Sequence, residues 1–193
     1  MPTGTYVHLE DDLEERFQCA PGPGGWRYTS TRSDGVRTDL VVDSRWRQIR
    51  VEVVTPTWWV RGGVTGPEVA WVRGATEYGH TEYGERASGF LTDSPGFLVA
   101  IARSLQTAGQ DAADVRLVRL SGPSLAALTA TWRWRLAGTS SHGTETGPLP
   151  VAEYEITDLA TGERTAFHLA GDVVLAAPGI DLTELESVPN FLG

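Results

Sequence analysis

Apolar and polar residues alternate along most of the chain. In "LTATWRWRLAG" (128–138), Trp132 and Trp134 fall on one side of an extended strand and Arg133 and Arg135 on the other, because successive strand side chains point to opposite faces. The same period runs through "WRYTST" (26–31), where Trp26, Tyr28 and Ser30 share a face. It recurs in "VRTDLVVD" (36–43), in "RQIRVEVV" (47–54), with Ile49, Val51 and Val53 together, and in "TWWVRG" (57–62), "EVAWVRG" (68–74) and "VRLVRL" (115–120). Residues 152–172 read as a hairpin around "ATGE", and "VVLAAPGI" (173–180) as a last short strand before a polar tail.

One stretch changes period. In "SPGFLVAIARSLQTAG" (94–109), Phe97, Leu98, Ile101, Ala102 and Leu105 recur at helical spacing. Ser94 suits a cap, Pro95 the first helical position and Gly109 the residue after the end. The pattern predicts a mainly β, single-domain roll or barrel-like sheet with one principal helix at about 95–107. "VHLEDDLEERF" (7–17) reads as a short acidic helix or ordered arm, ended by the breakers "APGPGG" (20–25). The expected division is therefore an acidic arm over 1–23 and one β-rich domain over 24–193. Residues 62–94, rich in Gly and charge, read as a functional lid or binding loop.

Composition narrows the function classes. The net charge is −9 and the chain holds 193 residues, so no basic surface is expected for nucleic acid or for an anionic membrane. All 16 basic residues are arginine, which excludes a lysine Schiff base and a P-loop. Cys19 is the single cysteine, so no internal disulfide and no cysteine-rich zinc site is expected. The acidic start has no apolar signal core, and no apolar run reaches membrane-spanning length. These features predict a cytoplasmic protein without metal or cofactor and without stable membrane insertion. Whether it pairs with itself as a homodimer is left open.

The candidate chemistry lies in "EYGHTEYGE" (77–85), a phrase said twice at an offset of five. On a strand, Tyr78, His80 and Glu82 share a face, and Glu82 could orient His80 as an acid/base pair. The expectation is a flap at a cavity mouth with His80 turned inward; the competing reading is a solvated loop tip. His142 reads as a surface-turn residue in "GTSSHGTETG" (138–147), and His8 carries no assignment. "HTE" lacks the P-C-x-x-C half of a zinc deaminase, and "GPSLA" around Ser124 is not a nucleophile elbow. Seven tryptophans are the strongest compositional signal. Trp26, Tyr28, Trp58, Trp59, Trp71, Trp132 and Trp134 are expected to line a ligand cavity, with Arg133 and Arg135 offered to an anionic head group.

Several blocks resemble a bacterial glycolipid-binding family of spiral β-roll proteins. They are "WRYTSTRSDGVRTDLVV", "RQIRVEVVTPTWWVRG", "FLTDSPGFLVAIARSL", "VRLVRLSGPSLAALTATWRW" and "DVVLAAPGI", together spanning about residues 24–180. The acidic start and "EYGHTEYGE" depart from that pattern. The resemblance implies a roll with a lipophilic cavity. Two functions follow as expectations. The first is a binding protein for a hydrophobic or amphipathic small molecule, lipid-, glycolipid- or polyketide-like. The second is a cofactor-independent cyclase, isomerase or hydrolase acting on such a molecule in the same cavity.

Overall fold

The computed structural model describes residues 1–22, 24–75, 77–144 and 147–191. Pro23 of the breaker cluster, and Glu145 and Thr146 of the segment 138–147, lie outside the described residues. Fifteen strands and one helix make up the described chain. The first meander is β1 (Thr3–His8), β2 (Leu13–Gly22), β3 (Gly25–Arg32), β4 (Arg37–Asp43), β5 (Gln48–Val54), β6 (Trp58–Thr65), β7 (Glu68–Ala75) and β8 (Gly79–Glu85). A short β9 (Gly89–Leu91) and α1 (Gly96–Thr107) follow. The second meander is β10 (Ala112–Ser121), β11 (Ala126–Thr144), β12 (Gly147–Asp158), β13 (Arg164–Ala170), β14 (Val173–Ala177) and β15 (Ile180–Leu185).

All strands belong to one sheet, in the order 8-7-6-5-4-3-2-1-15-14-13-12-11-10-9. Strand β15 pairs antiparallel with β1, so the two ends of the chain join the meanders. Strand β9 pairs parallel with β10, and α1 supplies the crossover that parallel neighbours require. The sheet curls until β9 lies against β5 and β7, and it does not close into a barrel. The free edge of β9 meets a side chain instead of a strand. Buried Gln48 donates from Nε2 to the Phe90 carbonyl at 3.0 Å and accepts from the Phe90 N–H at 2.6 Å. One amide thus satisfies an edge that would otherwise be unpaired.

Alternation builds the two faces. Tyr6, Phe17, Trp26, Tyr28, Leu40 and Val51 are buried on the inside of the roll, with α1 packed against β4, β9 and β14. Fully burying each large apolar side chain contributes ~1.5–3 kcal/mol. The outer face carries cross-strand ion pairs, including a row from Arg27 through Asp39, Arg50 and Glu52 to Arg61. Trp132 and Trp134 are buried while Arg133 and Arg135 are exposed, as the alternation requires.

The helix begins and ends close to expectation, but Ser94 does not cap it. Pro95 stands at the cap position without a side-chain bond. The far end closes as a Schellman turn: Gly109, at φ +66°, donates to the Gln106 carbonyl, and Gln110 donates to that of Leu105.

Four local readings are corrected. The expected acidic helix or arm is the hairpin β1–β2, in mid-sheet, so residues 3–22 share the sheet of the rest of the chain. The polar tail contains β15. The irregular segment 62–94 is largely strands β6, β7, β8 and β9. On β5 a bulge makes Ile49 the extra residue between Gln48↔Val42 and Arg50↔Val41. Gln48 therefore turns inward and Ile49 faces water.

Candidate functional site

The antiparallel register of β1 and β2 sets Tyr6 opposite Glu15 and Gly4 opposite Phe17, with His8 one inward position further along β1. Strand β3 adds Tyr28 and Ser30 to the same face. These positions belong to the apolar period, yet one holds a carboxylate and one an imidazole. Glu15 is 2% exposed and His8 6%. Their side chains meet at 2.8 Å through His8 Nε2 and Glu15 Oε2. The other carboxylate oxygen accepts the Tyr28 hydroxyl at 3.0 Å and a short hydrogen bond from Ser94 Oγ. Ser30 Oγ lies 3.4 Å from Ser94 Oγ. Ser94 immediately precedes the cap of α1, so its bond holds the carboxylate at the positive end of the helix.

The electrostatics follow from these contacts. Burial alone would raise the Glu15 carboxyl. Hydrogen bonds from His8, Ser30 and Ser94 outweigh burial and hold it below the ordinary glutamate value. Burial, reinforced by the Glu15 charge, pushes Tyr28 far up, so its hydroxyl keeps its proton and donates. An ionised Glu15 can only accept, so His8 Nε2 carries the hydrogen of their bond. His8 Nδ1 is left without a hydrogen-bond partner among the described residues. It is not one of the sealed unpartnered atoms of the core, which are Trp71 Nε1, Arg103 Nε, Trp134 Nε1 and the Tyr154 hydroxyl.

The knot separates two cavities at one end of the roll, where the turns after β1, β3, β5, β10, β12 and β14 gather. The first, about 390 Å3, has His8 in its wall and apolar surface from Leu98, Trp132, Ile156 and Phe167. The second, about 360 Å3, reaches Glu15, Ser30 and Ser94. They share Asp11, Thr92 and Asp93. A larger groove, about 600 Å3, runs along β11, β12, β13 and β14 past His142 and His168. His142 sits on strand β11, not in a turn, and bonds Ser140 Oγ at 3.0 Å. Among the described residues no cluster of His, Cys, Asp and Glu could hold a metal ion.

The acid/base set expected on 77–85 is not at these cavities. Tyr78, His80 and Glu82 are all exposed and line neither one. Tyr83 stacks on Trp71 with centroids 5.3 Å apart, so that side of β8 faces inward. His80 and Glu82, on the alternate positions, face out. The inward flap is therefore corrected to a regular edge strand.

The tryptophans also divide. Trp26, Trp71, Trp132 and Trp134 belong to the hydrophobic core, and Trp58 packs against it. Trp26 donates from Nε1 to buried Asp172 at 2.9 Å, and Asp172 also accepts from the backbone N–H and side-chain amide of Asn190. Arg73 lies 3.8 Å above the Trp58 ring. Trp59 faces out over Gly74, where a β-carbon would come within 2.5 Å of its ring. Of the expected aromatic wall, Trp132 alone lines a cavity at this end of the roll, the first one; none lines the second. Tyr28 contributes through its bond to Glu15 rather than as a wall.

Arg133 and Arg135 sit on the outer face, paired with Asp114 at 2.7 Å and Glu155 at 2.6 Å, and line none of these three cavities. The charged groups around the first cavity are mainly acidic: Glu10, Asp11, Asp93, Asp158 and Glu163, with Arg119 among them. The pair that sequence reasoning missed, His8 and Glu15, carried a signal. In "LEERFQC" Glu15 occupies the phase of Leu13, Phe17 and Cys19, an inner-face position by period two.

No family model, curated protein or solved structure matches the chain.

Proposed function

We propose that this protein is a small-molecule-binding β-roll that holds an amphipathic ligand, lipid-, glycolipid- or polyketide-like, in the cavities at the turn end. One observation carries the reading. The first cavity joins an apolar wall of Leu98, Trp132, Ile156 and Phe167 to a mouth of carboxylates. Concave sites that combine apolar walls with a few placed polar groups are the usual form of small-molecule sites. The chain of the ligand would lie on the wall and its head at Asp11, Thr92 and Asp93. Calorimetric titration with single-chain amphiphiles below their micelle concentrations tests this. Saturable binding is expected. Ala177→Phe, which puts a ring into the cavity without removing core, should lower affinity at least about tenfold, the scale of a blocked anchor contact. Equal affinity in this variant rejects the cavity.

A second reading, a cofactor-independent enzyme, is favoured by the His8 geometry. An imidazole oriented by a buried carboxylate, with its other nitrogen free beside a cavity, has the arrangement of a general base. In ester hydrolysis, Nδ1 would take a proton from water. The resulting hydroxide would add to the carbonyl, and the imidazolium would return the proton to the departing alkoxide. A p-nitrophenyl ester of a medium-chain acid is the probe. Turnover lost in His8→Gln while binding of a matching alcohol persists supports catalysis; unchanged turnover removes it.

A further inference from the structure

We infer that the head group held at this site is a cation, so that the ligand is a single-chain ammonium; this rests on the amphiphile-binding reading above. The inference starts from charge around the first cavity. Glu10, Asp11, Asp158 and Glu163 line it, and none forms an ion pair among the described residues. Asp158 accepts backbone N–H groups of its own turn, from Ala160 and Thr161. The one lining guanidinium, Arg119, is engaged by Asp93 at 3.5 Å. Glu10, Asp158 and Glu163 thus face the cavity without a cationic partner, and Asp11 has only the more distant Arg32, which Asp34 already pairs. An anionic head would meet their combined repulsion, and a neutral polyol would gain nothing from their field.

The second observation is independent of that cluster. His8 is more than nine-tenths buried and lines the same cavity, its Nε2 fixed by Glu15 and its Nδ1 unpartnered. While the ring is neutral, Nδ1 is an acceptor. The wall therefore offers acceptors both at the mouth and in the interior, and few donors. A primary ammonium carries three donors and one positive charge, matching both features. Its alkyl chain would extend over Trp132, Phe167 and Leu98.

The test compares decylammonium, decanoate and octyl glucoside by calorimetry at low salt. Decylammonium should bind about tenfold or more tighter than either, the scale expected for several partly screened carboxylates acting on one charge. Added salt should narrow that gap. The double variant Glu10→Gln, Glu163→Gln changes two exposed side chains outside the head position at Asp11, Thr92 and Asp93, and should abolish most of the preference while leaving octyl glucoside binding as it was. Decanoate or octyl glucoside binding as tightly as decylammonium overturns the cation and leaves the amphiphile cavity standing. A preference that survives the double variant unchanged also overturns it. Binding by none of the three rejects the cavity and the cation together.

Discussion

Two regions of this sheet bring together a histidine, a glutamate and a tyrosine, with opposite physical results. On the edge strand β8 and the turn before it, Tyr78, His80 and Glu82 stand in water, and Tyr78 is 81% exposed. On β1, β2 and β3, His8, Glu15 and Tyr28 are buried against the roll interior, with His8 in the wall of the first cavity. The residue types are the same, but the inner group has lost nearly all its water. Each of its charges must find a protein partner or destabilise the fold. The inner group does so through four side chains on four segments, whereas the edge group has nothing to satisfy. Residue type proposes chemistry, and the phase of the strand decides whether that chemistry meets solvent or a cavity.

The largest break in this comparison is Glu15→Ala. It leaves His8, Tyr28 and Ser94 buried without their common acceptor. Each buried donor left unsatisfied costs ~1–3 kcal/mol, so the denaturant midpoint should fall far, or the chain should fail to fold. A loss of ~1 kcal/mol or less, the scale of a surface pair, would erase the distinction between the two regions.

Acid should act on the same group. The folded Glu15 carboxyl lies below its ordinary value, and an unfolded glutamate titrates near ~4.3. The unfolded chain therefore binds this proton first as pH falls. The stabilisation is fully present above ~4.3 and is lost as pH drops through the lower folded value. Stability measured by urea at a series of pH values should decline over that window more steeply in the native protein than in Glu15→Gln. Parallel slopes would show that Glu15 is not held ionised by its partners.

A pair of glycine substitutions sharpens the contrast at lower cost. A β-carbon on Gly96, at the start of α1, would come within 2.5 Å of the Tyr28 ring. Gly96→Ala should cost ~1–3 kcal/mol, as overpacking does, because Tyr28 cannot retreat without loosening its bond to Glu15. At Gly84 on β8 the nearest atom to an added β-carbon is the Val69 carbonyl oxygen at 4.0 Å. Gly84→Ala should be neutral or slightly stabilising. Equal thermal midpoints for the two variants would show that helix and knot are not packed as described.

Much of the fold was legible because its signals are local. "TWRWR", the hairpin at "ATGE" and the helix 94–109 each announce themselves within a dozen residues. The failures have identifiable causes. In β2 the outward Glu14 and Arg16 flank inward Glu15, so three charged residues in a row hid the period. Strand β15 is specified by pairing with β1, at the other end of the sequence. Over β6 and β7, Gly62 and Gly74 look like loop residues, yet added β-carbons would collide with Trp71 and Trp59. Gly74 is bare so that the Trp59 indole can lie across the sheet, and Gly62 because the β7 backbone at Ala70 and Trp71 runs close against it. The candidate site was less legible than the fold. Trp132 could be chosen from sequence, but the acidic mouth depends on turns from distant segments, and His8 lacked meaning until Glu15 was placed beside it.

The smallest expected effect concerns the phrase "EYGHTEYGE" itself. His80→Ala and Glu82→Gln remove exposed groups for which no ion pair or hydrogen bond is formed among the described residues. Surface changes of this kind stay within ~0.5 kcal/mol, so melting temperature should be unaltered. Both residues face away from Trp71 and line neither cavity at the knot. Amphiphile affinity should therefore match the native protein, while Ala177→Phe loses it. An affinity that falls in His80→Ala and survives in Ala177→Phe would invert the comparison. The outer edge would then hold the ligand, and the buried histidine and glutamate would serve only to brace the roll.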